Sequence, residues 1–423
     1  MLEVLILRSI LHCDLNNFFA SVECLYRPDL KDKPVAVGGS TKSRHGIILA
    51  KNMPAKTKGV KTGEALWQAK QKCPGLIVLP PHMEQYVHFS TLARDIYLRY
   101  ATRLESFGID ECWLDITAKA DTLSKAAEIA DEIRLTVKEE LGITISIGVS
   151  FNKIFAKLGS DMKKPDAITL ITKENYRDIV WPLPADDMLY VGKATKRKLN
   201  NLNIFTIGDI ANAPVELLKD VLGKWGQVVH TYALGQDTSP VALFDELSDT
   251  KSVGNSVTTP RDLTSKDDIK QVFYVLCESV AYRLRKHGLK GNVLQIHIRS
   301  NNLDIMERQC TLSNYSSTSA SMIDACMELF NNNYSLKVPV RSLGMRITGL
   351  IPEHEDFTQL SMFDTTGEKD YKNDILERKI DDIRGRFGHH IIHRAIELRD
   401  TELQHSPIDK KITHSLPSPR NKK

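Results

Sequence analysis

The chain has no apolar run approaching the roughly 20 residues that a bilayer-spanning helix needs, so a helical membrane protein is excluded. Its 7 cysteines are scattered and none forms a CxxC pair, which fits a reducing interior and argues against structural zinc. A strong net charge is also lacking, since 57 Lys and Arg face 53 Asp and Glu. A balance of +4 says little about nucleic acid by itself. The opening Met1–Arg8 is apolar but short and carries Glu3. It has neither the basic start nor the small-residue cleavage site of a signal peptide, so a cytoplasmic location is expected.

What is present is length and local charge. At 423 residues the chain exceeds one ordinary core, and several domains are expected. Basic residues crowd Lys51–Lys72, Lys193–Lys198 and Arg283–Lys290, whereas acids concentrate elsewhere, notably at Glu353–Asp356. Taken singly, each basic run reads as a solvated helix face. Three of them in separate expected domains read as a discontinuous track along a phosphate backbone.

Two acidic stretches carry the chemistry. In Ser106–Ile116, Asp110 and Glu111 stand side by side among the strand formers Ile109, Trp113 and Ile116. Adjacent side chains on a strand point to opposite faces, and acids in an apolar run are costly unless compensated. The pair is either the exposed tip of a hairpin or a tight turn that aims both groups at one cation. In Ile10–Glu23, an apolar strand breaks at Asp14 and an aromatic-rich segment enters a helix that Asn16 or Asn17 caps. Were Asp14, Asp110 and Glu111 to converge, each close pair would cost about 4 kcal/mol at an effective dielectric near 20. Such a site needs metal, and a few oxygen ligands suit Mg²⁺ shared with substrate phosphates.

These two stretches resemble the metal-binding motifs of the Y-family DNA polymerases, the translesion enzymes, in their UmuC/DinB-like bacterial branch. A third stretch, Ser146–Pro165, is similar to that family's third signature, and the three fall in the family's order and spacing. The resemblance implies a multidomain α+β fold, the right-hand polymerase. Residues 1–25 and 80–180 would form the catalytic palm, 26–79 a small fingers domain, and 181–240 a helical thumb. A linker at 241–251, an α+β little finger at 252–352 and a tail at 353–423 would follow. In the palm, helices at Met83–Tyr100 and Lys125–Leu141 and a strand at Thr144–Val149 suggest a sheet covered by helices on one side. In the thumb, Met188–Ile210 resembles a helix-hairpin-helix, with a helix ahead of the Gly192 turn and a basic helix after it. In the little finger, Asn292–Ser300 alternates as a half-buried strand with a polar outer face.

Site residues carry over position by position. Phe19 matches the steric gate whose ring excludes a 2′-hydroxyl, while the neighbouring Phe18 is core or part of the same substrate wall. Lys56 and Lys164 match the cations that hold the triphosphate. Of the nearby lysines, Lys153 and Lys157 are not chosen, and Lys157 is expected to be exposed on its helix. Met53 stands where many members carry a triphosphate-binding tyrosine, a departure that leaves one phosphate contact unaccounted for. Backbone N–H groups around Gly192 and Lys193 would take a DNA phosphate, and Arg261, Arg299 and Arg346 are further DNA contacts. Gln359, Leu360, Met362 and Phe363 match the bacterial sliding-clamp-binding peptide. The charged segment Tyr371–Phe387 is expected to be helical, packing or binding a partner, and the chain beyond Thr401 to be disordered.

The implied reaction is template-directed nucleotidyl transfer with two Mg²⁺ ions, for which Mn²⁺ can substitute. Asp14 would touch both ions, Asp110 and Glu111 the first or either, and the Leu15 carbonyl would add a ligand. No remaining segment is long enough for a proofreading exonuclease. Partners would be primer–template DNA, deoxynucleoside triphosphates and the sliding clamp, with no membrane, for a monomer at the nucleoid. Two rivals are a non-catalytic polymerase-like accessory protein acting through the clamp, and another palm enzyme such as a nucleotide cyclase. The first is weakened because all three acids are kept, and the second because it needs neither the hairpin, the second DNA-facing domain nor the clamp peptide.

Overall fold

A computed structural model describes residues 8–39, 46–244, 250–356, 366–388 and 391–404. They divide into two compact units: residues 8–39 and 47–244 form the first, and the described residues from 250 onward form most of the second. No described helix is long and apolar enough to cross a membrane.

The first unit begins with β1 (Ile10–Leu15), α1 (Phe18–Tyr26), β2 (Val35–Gly38), β3 (Ile48–Lys51), α2 (Met53–Thr57), α3 (Leu66–Lys72) and β4 (Ile77–Leu79). It continues through α4 (Met83–Tyr97), β5 (Arg103–Ser106), β6 (Glu111–Asp115), α5 (Leu123–Leu141), β7 (Ile145–Ser150), α6 (Lys153–Met162) and β8 (Ile168–Ile171). The main sheet has the order β5-β6-β1-β7-β8, with β1 antiparallel to both β6 and β7. All six residues of β1 are buried, because the sheet is covered on both faces. This corrects the expectation of helices on one side.

The alternation of a strand explains the two faces. Leu11, Cys13 and Leu15 point one way, into a core with Ala93 and Ile96 of α4 and Ile129, Ile133 and Val137 of α5. Ile10, His12 and Asp14 point the other way, beneath α6. Helix α6 comes unusually close to the sheet. A Cβ on Gly148 would lie 1.9 Å from the Ala156 carbonyl oxygen, so only glycine fits there. Asn152 caps α6 by accepting from the Phe155 N–H at 2.8 Å. The Trp113 indole donates to the Lys153 carbonyl at 2.9 Å and fixes the same end.

A smaller sheet, β3-β2-β4, packs Ala36 and Ile48 against Ala55 of α2 and Leu66 and Ala69 of α3. The first unit ends in short helices α7 (Tyr176–Val180), α8 (Lys193–Asn200), α9 (Ile207–Asn212), α10 (Val215–Leu222) and α11 (Lys224–Ala233) around a shared apolar core. The expected helix ahead of Gly192 is instead a three-residue 3₁₀ turn, Ala185–Asp187, followed by irregular chain. Met188 and Val191 are buried there, and their N–H groups make only single-turn bonds, to the Ala185 carbonyl at 3.3 Å and the Met188 carbonyl at 3.1 Å.

The second unit contains β9 (Ser252–Leu263), α12 (Lys266–Lys286), β10 (Leu289–Ser300), β11 (Ile305–Ser316), α13 (Ser319–Asn333), β12 (Val340–Pro352) and α14 (Thr366–Phe387). Its antiparallel sheet runs β11-β10-β12-β9, and Leu294, Ile296 and Ile298 of β10 face α12 and α13 in one core. Helix α14 is tied to α12 by charge: Arg285 bonds Glu377 and Asp381, and Arg384 bonds Glu278. Residues Thr401–Gln404 form a 3₁₀ turn with Leu403 buried, so order extends slightly past the expected limit.

Candidate active site

Strand register brings the acids together. Asp14 lies opposite Glu111 across the β1–β6 pairing, on the face that α6 covers. Asp110 occupies the turn just before β6, where its carbonyl accepts from the Leu15 N–H at 3.1 Å. The buried Arg94 of α4 holds this turn by donating to the Gly108 carbonyl at 2.9 Å and the Ser106 hydroxyl at 3.2 Å. The Ser90 hydroxyl adds a bond to the Ile109 carbonyl. Of the two helix-cap candidates, Asn17 occupies the cap position in a left-handed conformation without a side-chain bond. Asn16 turns inward instead, donating to Ser146 at 3.0 Å and accepting from the Asp166 N–H at 2.8 Å. It thereby anchors the loop that carries Lys164.

Two lysines reach the acids. Lys164 Nζ lies 2.7 Å from Asp14 Oδ2. Lys157, expected on an exposed face, is only 13% exposed, with Nζ 2.8 Å from Glu111 Oε2, 3.4 Å from Asp14 Oδ2 and 3.0 Å from Asp161. The contact of α6 with the sheet at Gly148 turns that helix face inward. Sequence reasoning also missed His12, whose Nε2 lies 3.3 Å from Glu111 and whose Nδ1 lies 2.8 Å from the Ser160 hydroxyl. A polar residue two places before Asp14, hence on the same strand face, was the available signal. Lys153, by contrast, pairs with Glu105 at 2.6 Å and lies over the Trp113 ring.

The charges are unequally compensated. Burial opposes ionisation of Glu111, but the His12 contact and the Lys157 charge outweigh it and hold the carboxyl at about 2. Burial lowers the His12 imidazole below its ordinary value, against the opposing pull of Glu111. Asp110 has no ion-pair partner among the described residues, and burial together with Asp14 and Glu111 pushes its carboxyl up to about 7. Among the described residues, no three His, Cys, Asp or Glu side chains already stand in a metal-holding arrangement. The donor set nonetheless fits a hard divalent cation. It is all oxygen, and among the described residues it leaves one half-buried carboxyl, Asp110, with no ion-pair partner, whose ionised form the Lys157 charge favours but does not restore.

The remaining candidates are dispersed. Phe18 is buried in the core, whereas Phe19 is half-buried and stacks on Tyr86. Lys56 is exposed at the end of α2, a helix pinned to β2 by Asn52, which accepts from the Val35 and Ala55 N–H groups. Met53 is half-buried at the start of α2. Gly192 and Lys193 are exposed at the start of α8. In the second unit, Arg346 donates to Gln295, and Arg299 is half-buried on β10. Arg261 is committed to Asp268 at 2.8 Å and Asp400 at 2.7 Å. Gln359, Leu360, Met362 and Phe363 lie outside the described residues.

Residues 13–161 match the impB/mucB/samB family, and residues 250–362 match the impB/mucB/samB family C-terminal domain. The DNA polymerase IV of Acetivibrio thermocellus is 50% identical over 396 residues, covering 94% of this chain and 99% of that protein. The DNA polymerase IV of Clostridium acetobutylicum is 35% identical, covering 93% and 99%. DNA polymerase IV 1 of Bacillus subtilis is 37% identical, covering 93% and 94%. Among solved structures, a Y-family DNA polymerase chimera, Dbh-Dpo4(243-245)-Dbh, has the same fold with a TM-score of 0.72. Its identity is 24%, and the match covers 81% of this chain and 99% of that one.

Proposed function

The chain belongs to the impB/mucB/samB family and is a Y-family, DinB-like translesion DNA polymerase, and we propose that its nucleotidyl transfer runs on Asp14, Asp110 and Glu111. The observation that carries this reading is the placement of all three acids at one end of the β1–β6 pair, two of them in register. A catalytic acid set of this kind does not suit an accessory protein acting only through a clamp.

Y-family polymerases use divalent metal ions. Here Asp14, Asp110, Glu111 and the Leu15 carbonyl would hold two Mg²⁺, with Mn²⁺ able to replace them. When bound, such ions lower the pKa of the primer 3′-hydroxyl and neutralise the leaving pyrophosphate. The protein's own groups supply the rest. Lys164, now on Asp14, and Lys56, exposed and unshielded on α2, stabilise charge on the triphosphate. Lysine acts at these positions as a point charge rather than as a bidentate fork. Phe19 presents its ring to the sugar and excludes a 2′-hydroxyl by overlap. Gly192 and Lys193 at the start of α8 take a backbone phosphate without reading sequence. Arg299 and Arg346 contact DNA from the second unit.

The finer organisation follows the family. Residues 1–25 and 80–180 act as palm, 26–79 as fingers, 181–240 as thumb and 252–352 as little finger. The protein works as a cytoplasmic monomer and meets the bacterial sliding clamp through Gln359–Phe363. Primer extension on a template with an abasic site tests the central reading. Asp110→Ala is expected to lose extension by about 10³-fold, since metal-borne charge stabilisation is worth several kcal/mol. Full activity in that variant would remove Asp110 from the site.

A further inference from the structure

We infer that Lys157 is a built-in counter-cation that keeps divalent metal off the acids until a nucleotide arrives. The inference rests on the reading that Asp14, Asp110 and Glu111 hold that metal. Lys157 Nζ stands between Glu111 Oε2 at 2.8 Å and Asp14 Oδ2 at 3.4 Å, the oxygens of two of the three acids. Lys164 Nζ occupies the same Asp14 oxygen at 2.7 Å. Asp161 joins the two ammonium groups, one oxygen 3.0 Å from Lys157 and the other 2.9 Å from Lys164. In the resting site Asp14 and Glu111 are thus already ion-paired while Asp110 is not, and a divalent ion that draws on those two acids meets fixed positive charge at close range.

The two lysines differ in how firmly they are held. Lys164 lies in the loop after α6 and is 24% exposed, so a triphosphate can draw it away from Asp14. Lys157 lies within α6, whose backbone is pressed onto the sheet at Gly148, and it keeps Glu111 and Asp161 as partners. A triphosphate brings the negative charge that outweighs Lys157 and takes up Lys164. Metal and nucleotide therefore bind with positive coupling, which by linkage is the same seen from either ligand. Lys157 is a positioning residue: it acts through Glu111 and Asp14 rather than by touching substrate or metal.

The test is Mn²⁺ binding, followed by the electron paramagnetic resonance of free Mn²⁺, to the full chain without DNA, with and without dATP. Lys157→Met, similar in length and uncharged, is expected to bind Mn²⁺ about tenfold tighter than the parent when dATP is absent. Its coupling to dATP should shrink by the same factor, and Lys157→Arg should behave like the parent. Unchanged or weaker Mn²⁺ binding by Lys157→Met would overturn the inference and leave Lys157 as a simple brace for Glu111. If Lys157→Met does not fold, Lys157→Gln decides by the same comparison. Absence of Mn²⁺ binding in parent and variants alike, even with dATP, would instead sink the metal-site reading and the inference with it.

Discussion

The Phe19 ring lies flat on the Tyr86 ring, with centroids 4.2 Å apart and planes 11° from parallel. Tyr86 is itself fixed, because it is fully buried and its hydroxyl donates to the buried Glu23 carboxylate, which His82 also contacts at 2.9 Å. A ring held this way has little freedom to swing aside for a bulkier sugar. Phe19→Ala is expected to raise ribonucleotide incorporation, relative to deoxyribonucleotide, by about tenfold or more, the scale on which apolar pockets discriminate. Competition assays with the two nucleotide types check this. Tyr86→Phe leaves Glu23 short of a donor in the interior, and a loss of about 1–3 kcal/mol in denaturant unfolding is expected.

Asp110 sets function against stability. Its carboxyl is pushed up to about 7 by burial and by Asp14 and Glu111. Between the usual carboxylate value near 4 and that point, the folded state holds a proton that the unfolded state has lost. Stability of the metal-free protein therefore falls as pH rises through this window. Asp110→Asn removes the effect. Calorimetry in a chelator should find the variant more stable than the parent by about 1–3 kcal/mol at pH 8 and equal to it near pH 4, while polymerase activity is lost.

Arg261 gives the opposite sign. Its bonds to Asp268 and Asp400 hold both carboxyls below the usual range. Here the unfolded state binds protons first, so the stabilisation is present above the usual carboxylate value and disappears as pH falls through the folded ones. The guanidinium is partly exposed, so the effect is modest. Arg261→Met should make residues 391–404 susceptible to limited proteolysis at pH 7, as the parent becomes only in acid.

Gly148→Ala tests how α6 is placed. The added methyl meets the Ala156 carbonyl oxygen at 1.9 Å and the Ser160 nitrogen at 2.5 Å, both backbone atoms that cannot step aside. Overpacking of this kind costs about 1–3 kcal/mol or more. The helix must lift, taking Lys157 with it, so the melting temperature and the activity should drop together.

The clamp peptide is tested by binding alone. Replacing Gln359 and Phe363 by alanine should abolish capture on an immobilised bacterial sliding clamp while leaving extension of a short primer by the free protein intact. Equal capture of parent and variant would discard the motif.

Much of the fold was legible because its strands follow simple patterns. The β10 alternation of Leu294, Ile296 and Ile298 with polar neighbours matches the observed faces. Strand β11 was not seen, because Ile305–Ser316 is a half-exposed edge strand whose inward positions Met306, Cys310 and Leu312 are separated by the polar Arg308 and give only a weak apolar alternation. The long tail helix was expected, with packing as one of its two roles, but the pairs that dock it, Arg285 with Glu377 and Arg384 with Glu278, were not, since charged residues in sequence look the same whether they meet water or one another.

By itself the sequence singled out the three acids of the candidate site, but neither His12 nor Lys157 beside them. Asp14 stands next to the end of an apolar strand, Glu111 begins another, and a period of two settles which residues share a face with them. Only the tertiary structure decided where Lys157 points. A helix offers several faces to a possible neighbour, and the choice among them was made by the backbone of α6 folding back onto Gly148 of the strand just before it, a packing geometry that no side-chain period expresses.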